Sequence, residues 1–250
     1  MRARVPVAGL LAAVLLSGCA QSVDPIERLG KKAAQRVRPQ EPAYRRWGLA
    51  APLAAPPEVP ARTTARTAGP GLPSVVDHVR TRDKVVFLTY DDGAERDPRF
   101  LDLVRELRLP VSVFLTDRVV GPGYGHLARL RAVGAAIQNH TLDHAALRGL
   151  PYVGQRAEIC GQQDKLRQRF GVRPRLLRPP YGRYDGTTLR AAADCGVTAV
   201  VLGRAVDARP LRPGDILRGF GEPDLADATV RLLRRIQAEG LTPARLENYL

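Results

Sequence analysis

From Ser74 onward the sequence alternates short apolar runs with amphipathic stretches, and this alternation restricts the possible fold more than any other feature. Apolar runs at 84–90, 110–116, 135–138, 175–177, 197–202 and, more weakly, 215–217 predict strands. Between and after them, helical periodicity marks 98–108, 125–133, 153–170, 187–194 and 224–239. The first helix carries its own start signal, with Asp97 as N-cap, Pro98 at the first helical position, and Phe100, Leu103, Val104 and Leu107 on one face. Strands separated by helices pair in parallel, because a parallel neighbour is reached only through a long crossover. The expectation is an α/β domain over 74–250, its sheet open or closed into a barrel. Either way, residues that carry chemistry belong at the C-terminal ends of the strands.

Three polar clusters stand at such positions. Thr89-Tyr90-Asp91-Asp92-Gly93 closes the first strand, His140-Thr141-Leu142-Asp143-His144 follows the strand at 135–138, and Arg178-Pro179-Pro180-Tyr181-Gly182 follows the strand at 175–177. A metal hydrolase needs a few fixed ligands around an open coordination position and a base that takes a proton from water. Adjacent carboxylates can divide those tasks, and two histidines four residues apart can reach one ion. Singly, each cluster also reads as a turn or as unrelated surface residues; what points to chemistry is that all three occur just past strands.

These three clusters resemble the first three motifs of the polysaccharide deacetylases of carbohydrate esterase family 4, the NodB homology domain. The resemblance covers nearly all of 75–220. It implies a distorted (β/α) barrel of about seven strands and hydrolytic removal of acetyl groups from N-acetylated sugars, or sometimes from O-acetyl esters. It further implies Asp92, His140 and His144 as ligands of a divalent ion, commonly zinc, and Asp91 as base. Arg178 would orient Asp91, and the Tyr181 backbone N–H would help to stabilise the oxyanion.

Two departures follow. Where the family's fourth motif supplies an aspartate and usually a tryptophan, 206–210 offers only Asp207, which either braces Arg178 or is a surface residue. Where the fifth motif runs into a general-acid histidine, the chain reads Gly214-Asp215-Ile216-Leu217-Arg218-Gly219-Phe220, and no histidine follows His144. The other two, His78 and His126, read as surface residues. A weakened deacetylase and a non-catalytic module that binds metal and glycan therefore stand beside a working enzyme, and a purely structural wall lipoprotein is the third class.

Ahead of the domain, Arg2 and Arg4 precede an apolar run that ends in Leu16-Ser17-Gly18-Cys19, a signal peptide over 1–18. Ser17-Gly18-Cys19 resembles the bacterial lipobox, which implies lipid on Cys19 and a chain held at the outer face of the cell membrane. Residues 19–73, rich in Pro, Ala and Arg, read as an extended tether. The formal net charge of +14 is almost wholly arginine, a solvated surface or an attraction to anionic wall polymers and headgroups. Export and the lack of stacking or zinc-finger patterns argue against nucleic acid. Nothing in the sequence suggests an oligomer, and a monomer is expected. Export also permits a disulfide between Cys160 and Cys195, although spacing alone does not establish one.

Overall fold

The computed structural model describes residues 41–58, 71–94, 96–207, 210–219 and 224–250, so the signal segment, Cys19 and much of the tether lie outside the described residues. The strands are β1 (Ser74–Val76), β2 (Val85–Tyr90), β3 (Val111–Leu115), β4 (Ala136–Asn139), β5 (Leu176–Leu177), β6 (Ala199–Val201), β7 (Arg204–Ala205), β8 (Ile216–Gly219) and β9 (Thr242–Pro243). The helices are α1 (Ala43–Arg46), α2 (Pro98–Leu107), α3 (Asp117–Val120), α4 (Tyr124–Ala132), α5 (Tyr152–Phe170), α6 (Gly186–Asp194) and α7 (Leu225–Ala238). The sheet runs β1-β6-β5-β4-β3-β2-β8-β7, with β9 paired to the start of β2, and every ladder is parallel.

Chain connectivity forces this sheet to curl. β6 ends at Val201 and β7 begins at Arg204, yet the two lie towards opposite ends of the strand order. The three Cα–Cα steps between them span at most about 11 Å. The two ends therefore meet at a seam, where a backbone bridge also joins His78 to Asp215. Gly203 sits in that seam at φ +74°, and a Cβ there would stand 2.8 Å from the Ile216 carbonyl oxygen. The fold is thus α/β with a curled parallel sheet, the distorted barrel expected from the sequence. The short strands β1, β7 and β9 were not legible in it.

All six residues of β2 are buried, because both faces of the sheet are covered. Alternation sends Val86, Leu88 and Tyr90 outward against α2 and α7, and Val85 and Phe87 inward with Phe114, Val201 and Ile216. Leu246 and Tyr249 plug the interior at the N-terminal end of the strands, Tyr249 meeting Phe87 with ring centroids 5.0 Å apart. Asp97 caps α2 through Arg99 N–H and also accepts the Ala226 N–H at the start of α7, which ties the two outer helices together.

The tether boundary at residue 73 needs correction. The compact unit begins at Pro42. Leu49 is buried, Trp47 Nε1 and Arg46 both donate to Glu106, and Arg234, Gln237 and Thr242 donate to the carbonyls of Gly48, Ala51 and Ala54. Prolines deny this segment a long helix or strand, but they do not prevent its carbonyls from being bonded by side chains of the domain.

Candidate metal centre

Each motif continues a strand past its last ladder bond. Asp91 N–H donates to the Gly219 carbonyl and so extends β2 along β8; His140 N–H donates to Leu115, and Arg178 N–H to Asn139. Asp91 falls on the inward row of Val85, Phe87 and Thr89, so its carboxylate enters the barrel. Asp92, one residue on, turns towards the rim of β3, where its Oδ1 accepts the Thr116 N–H at 2.7 Å. The Thr116 hydroxyl donates to the His140 carbonyl, and His140 Nδ1 lies 2.7 Å from the Arg178 carbonyl. Since a carbonyl only accepts, Nδ1 carries the proton and Nε2 keeps its lone pair. The ends of β2, β3, β4 and β5 are therefore linked in one hydrogen-bonded rim.

On that rim Asp92, His140 and His144 each offer a ligand atom, all within 4.8 Å of one another. One carboxylate and two imidazoles are a donor set for zinc or another first-row divalent ion, and the Nδ1–H bond to the Arg178 carbonyl fixes the His140 tautomer as metal-binding histidines require. Burial holds the His140 pKa down to about 4, so its ring is neutral and ready to ligate at ordinary pH. His144 Nδ1 lies 3.2 Å from the Tyr181 hydroxyl.

Backbone strain is concentrated here. Four non-glycine residues among those described have positive φ, and three of them are Thr141, His144 and Tyr181. Each such conformation costs about 1–2 kcal/mol and persists only where the surroundings enforce it. The loop bearing His144 is held by Leu142 N–H and Asp143 N–H, which donate to the backbone and side chain of Glu158 on α5. In the turn after β5, Gly182 and Arg183 N–H bond the Pro179 and Pro180 carbonyls, which leaves the Tyr181 N–H outside the turn's own bonds.

Arg178 is 1% exposed inside the barrel. Its Nη1 meets Asp91 Oδ1 at 2.6 Å, Nη2 donates to the Thr89 hydroxyl, and the guanidinium stacks 4.1 Å over the Phe114 ring. Burial pulls the Arg178 pKa down and Asp91 opposes that shift. Asp207 does not join this network. It lies exposed in the turn after β7, and the guanidinium is taken up by Asp91, Thr89 and the Val201 carbonyl. Of the two readings left open for it, a brace for Arg178 or a surface residue, the structure shows the second, and Thr89 takes the place at the guanidinium.

Asp91, Asp92, His140 and His144 line a cavity of about 470 Å³ together with Val119, Pro179, Tyr181 and Arg218. Arg218 and Thr116 had no part in the sequence-based site; a cation directly after the weak strand at 215–217 was the available signal for the first. His78 pairs with Asp215 at the opposite end of β8, His126 lies on α4, and neither lines the cavity. A larger cavity of about 830 Å³ lies between 48–57 and α7, but its lining is mostly apolar and holds none of these residues.

A family model described as polysaccharide deacetylase matches residues 78–200. An uncharacterized protein of Streptomyces coelicolor is 63% identical over 199 residues, which cover 73% of this chain and 79% of that protein. The chain belongs to the polysaccharide deacetylase family. Other curated relatives include a chitooligosaccharide deacetylase of Sinorhizobium fredii, 28% identical over 56% of this chain and 60% of its own length. The chain spans only 27% to 60% of the four curated relatives that follow the Streptomyces protein. Among solved structures, a peptidoglycan N-acetylglucosamine deacetylase superposes with a TM-score of 0.63 at 20% identity, over 70% of this chain and 92% of that one. A family 4 pseudoenzyme of Bacillus anthracis superposes with a TM-score of 0.64 at 16% identity, over 71% of this chain and 69% of that one. Those two likenesses are of fold.

Cys160, on α5, and Cys195, at the end of α6, form a disulfide across 35 residues, pinning the helix that supports the His144 loop.

Proposed function

We propose that this chain is a metal-dependent deacetylase that removes N-acetyl groups from a cell-envelope or extracellular polysaccharide, held outside the membrane by lipid on Cys19. The observation that carries this reading is the meeting of Asp92, His140 and His144 at one cavity with Asp91, whose carboxylate is held by a buried arginine.

A divalent ion, zinc in this reading, would supply Lewis-acid activation of water and of the acetyl carbonyl. Asp91 then takes the proton of the attacking water, its free lone pairs aimed at the cavity because Arg178 occupies Oδ1. The Tyr181 N–H, outside the bonds of its own turn, donates to the oxyanion that forms as water adds. The C–N bond breaks as Asp91 hands its proton to the departing amine, giving acetate and a free amino sugar. Peptidoglycan and chitin-like glycans are the named substrates of several relatives and are the first to try here.

A second reading rests on one observation: among the described residues, no histidine besides the two ligand candidates lines the cavity. Without a separate general acid the rate would fall by roughly 10²–10⁴-fold, and in the limit the domain would bind metal and glycan without turnover. The test is elemental analysis of the purified chain, followed by acetate release from chitooligosaccharides, peptidoglycan fragments and acetyl-xylan with and without added zinc. Zinc-dependent acetate release supports the enzyme; metal and glycan binding without release supports the module; no bound metal removes both.

A further inference from the structure

Arg218 is, among the described residues, the only lysine or arginine that lines the cavity. Its position follows from strand alternation. Ile216 points into the barrel and Leu217 packs outside, so Arg218 resumes the inward row one step nearer the C-terminal rim. It pairs in register with Thr89, whose hydroxyl bonds Arg178, and Gly219 then pairs with Tyr90 just before Asp91. The strand that should be apolar at this point thus delivers a half-buried guanidinium to the same wall as the catalytic carboxylate.

The formal charges of the site show its consequence. Among the described residues, the two negative charges of Asp91 and Asp92 stand against the two positive charges of Arg178 and Arg218, and a bound divalent ion would add two positive charges to that set. A neutral sugar gains nothing from that excess, whereas an anionic one does. The planar fork of a guanidinium pairs with a carboxylate through two parallel hydrogen bonds. A cavity of about 470 Å³ is the size of a small-ligand site, so the anion must belong to the sugar being deacetylated or to its immediate neighbour.

We propose that Arg218 is a specificity residue that selects acetylated sugars bearing a carboxylate beside the acetyl group. This rests on the deacetylase reading for its substrate class.

The test uses the zinc-loaded full chain and tetrasaccharides alternating N-acetylglucosamine and N-acetylmuramic acid, with the lactyl carboxylates either free or converted to amides. The free-carboxylate form is expected to show a kcat/KM at least about tenfold higher, the scale of one charge-assisted hydrogen bond, with the difference mainly in KM. That ratio falls towards one in Arg218→Gln and is partly retained in Arg218→Lys, the zinc content of each variant reporting an intact site. Equal kcat/KM for the two saccharides, or a preference that survives in Arg218→Gln, overturns the assignment. Equal losses on both saccharides also overturn it, since Arg218 would then serve the step common to both. Equilibrium binding of the same pair to zinc-loaded Asp91→Asn reads the ratio without turnover. A chain that releases no acetate therefore defeats the deacetylase reading, while the binding ratio still decides this one.

Discussion

Arg178 Nη1 lies 2.6 Å from Asp91 Oδ1 inside the barrel, a contact between residues 87 apart in the chain and the only route by which the buried guanidinium meets a carboxylate among the described residues. Removing the arginine leaves a carboxylate in a site built for an ion pair. Arg178→Met is expected to lower stability by about 3–5 kcal/mol, the cost of breaking a buried pair from one side. Urea denaturation checks it, and a loss under 1 kcal/mol would show that Asp91 finds solvent instead.

The His140 ring gives a pH dependence whose sign is fixed by burial. Its pKa falls from 6.5 in the unfolded chain to about 4 in the folded one, so the folded state disfavours the protonated ring. The stability contributed is fully present above pH 6.5 and is lost as pH falls towards 4, in total roughly 3 kcal/mol at 1.36 kcal/mol per unit. Denaturation of the metal-free chain at pH 7 and pH 4.5, compared with His140→Gln, isolates this contribution. The same slope in both proteins would assign it to other groups.

The disulfide closes a loop of 35 residues between α5 and α6. In the chain-entropy account such a cross-link stabilises by about 4 kcal/mol. A Cys160→Ala, Cys195→Ala double variant is expected to lose an amount of that order, read as a lower Tm, and reducing agent should bring the wild-type chain to the same value. A Tm indifferent to reductant would contradict it.

Trp47 donates to Glu106 and packs against the outer core although it precedes the first strand by many residues. A chain beginning at Ser74 is expected to be less stable than one beginning at Pro42, and Trp47→Ala in the longer chain to cost about 3 kcal/mol, at the lower end for loss of a large aromatic. Equal Tm values for the two lengths would return 42–58 to the tether.

The five longer helices and the longer strands were legible because their periodicities extend over several residues, and the motifs because strand ends collect unusual polar residues; the four-residue helices α1 and α3 were not. β1, β7 and β9 were not legible either: unlike the equally short β5 and β6, β1 and β7 do not follow a helical stretch within the alternation, and β9, which does, is Thr242-Pro243, with no apolar run to mark it. These three strands exist through their neighbours' hydrogen bonds. The Trp47 segment was missed because packing without regular structure leaves only a composition, and proline-rich composition reads as a linker. The place of Asp207 stayed open between brace and surface for a related reason: a motif supplies a residue type, whereas the contact to Arg178 depends on which groups already fill its fork. Thr89 fills it, from the first position of the polar cluster that closes the first strand, to which the sequence assigned no role. Arg218 carried a signal, a cation directly after the weak strand at 215–217, but only the curl of the sheet turns it towards the ligands.

The central claim is that Asp92, His140 and His144 hold an ion that works with Asp91 on an acetylated sugar. Acetate release from N-acetylglucosamine and peptidoglycan oligosaccharides by the zinc-loaded chain, set against Asp91→Asn, tests it most directly. The account predicts release that chelation abolishes and zinc restores, with Asp91→Asn binding the same amount of zinc but slowed at least about 100-fold. No release from any of these glycans while one zinc per chain is bound, or release unchanged in Asp91→Asn, would contradict it.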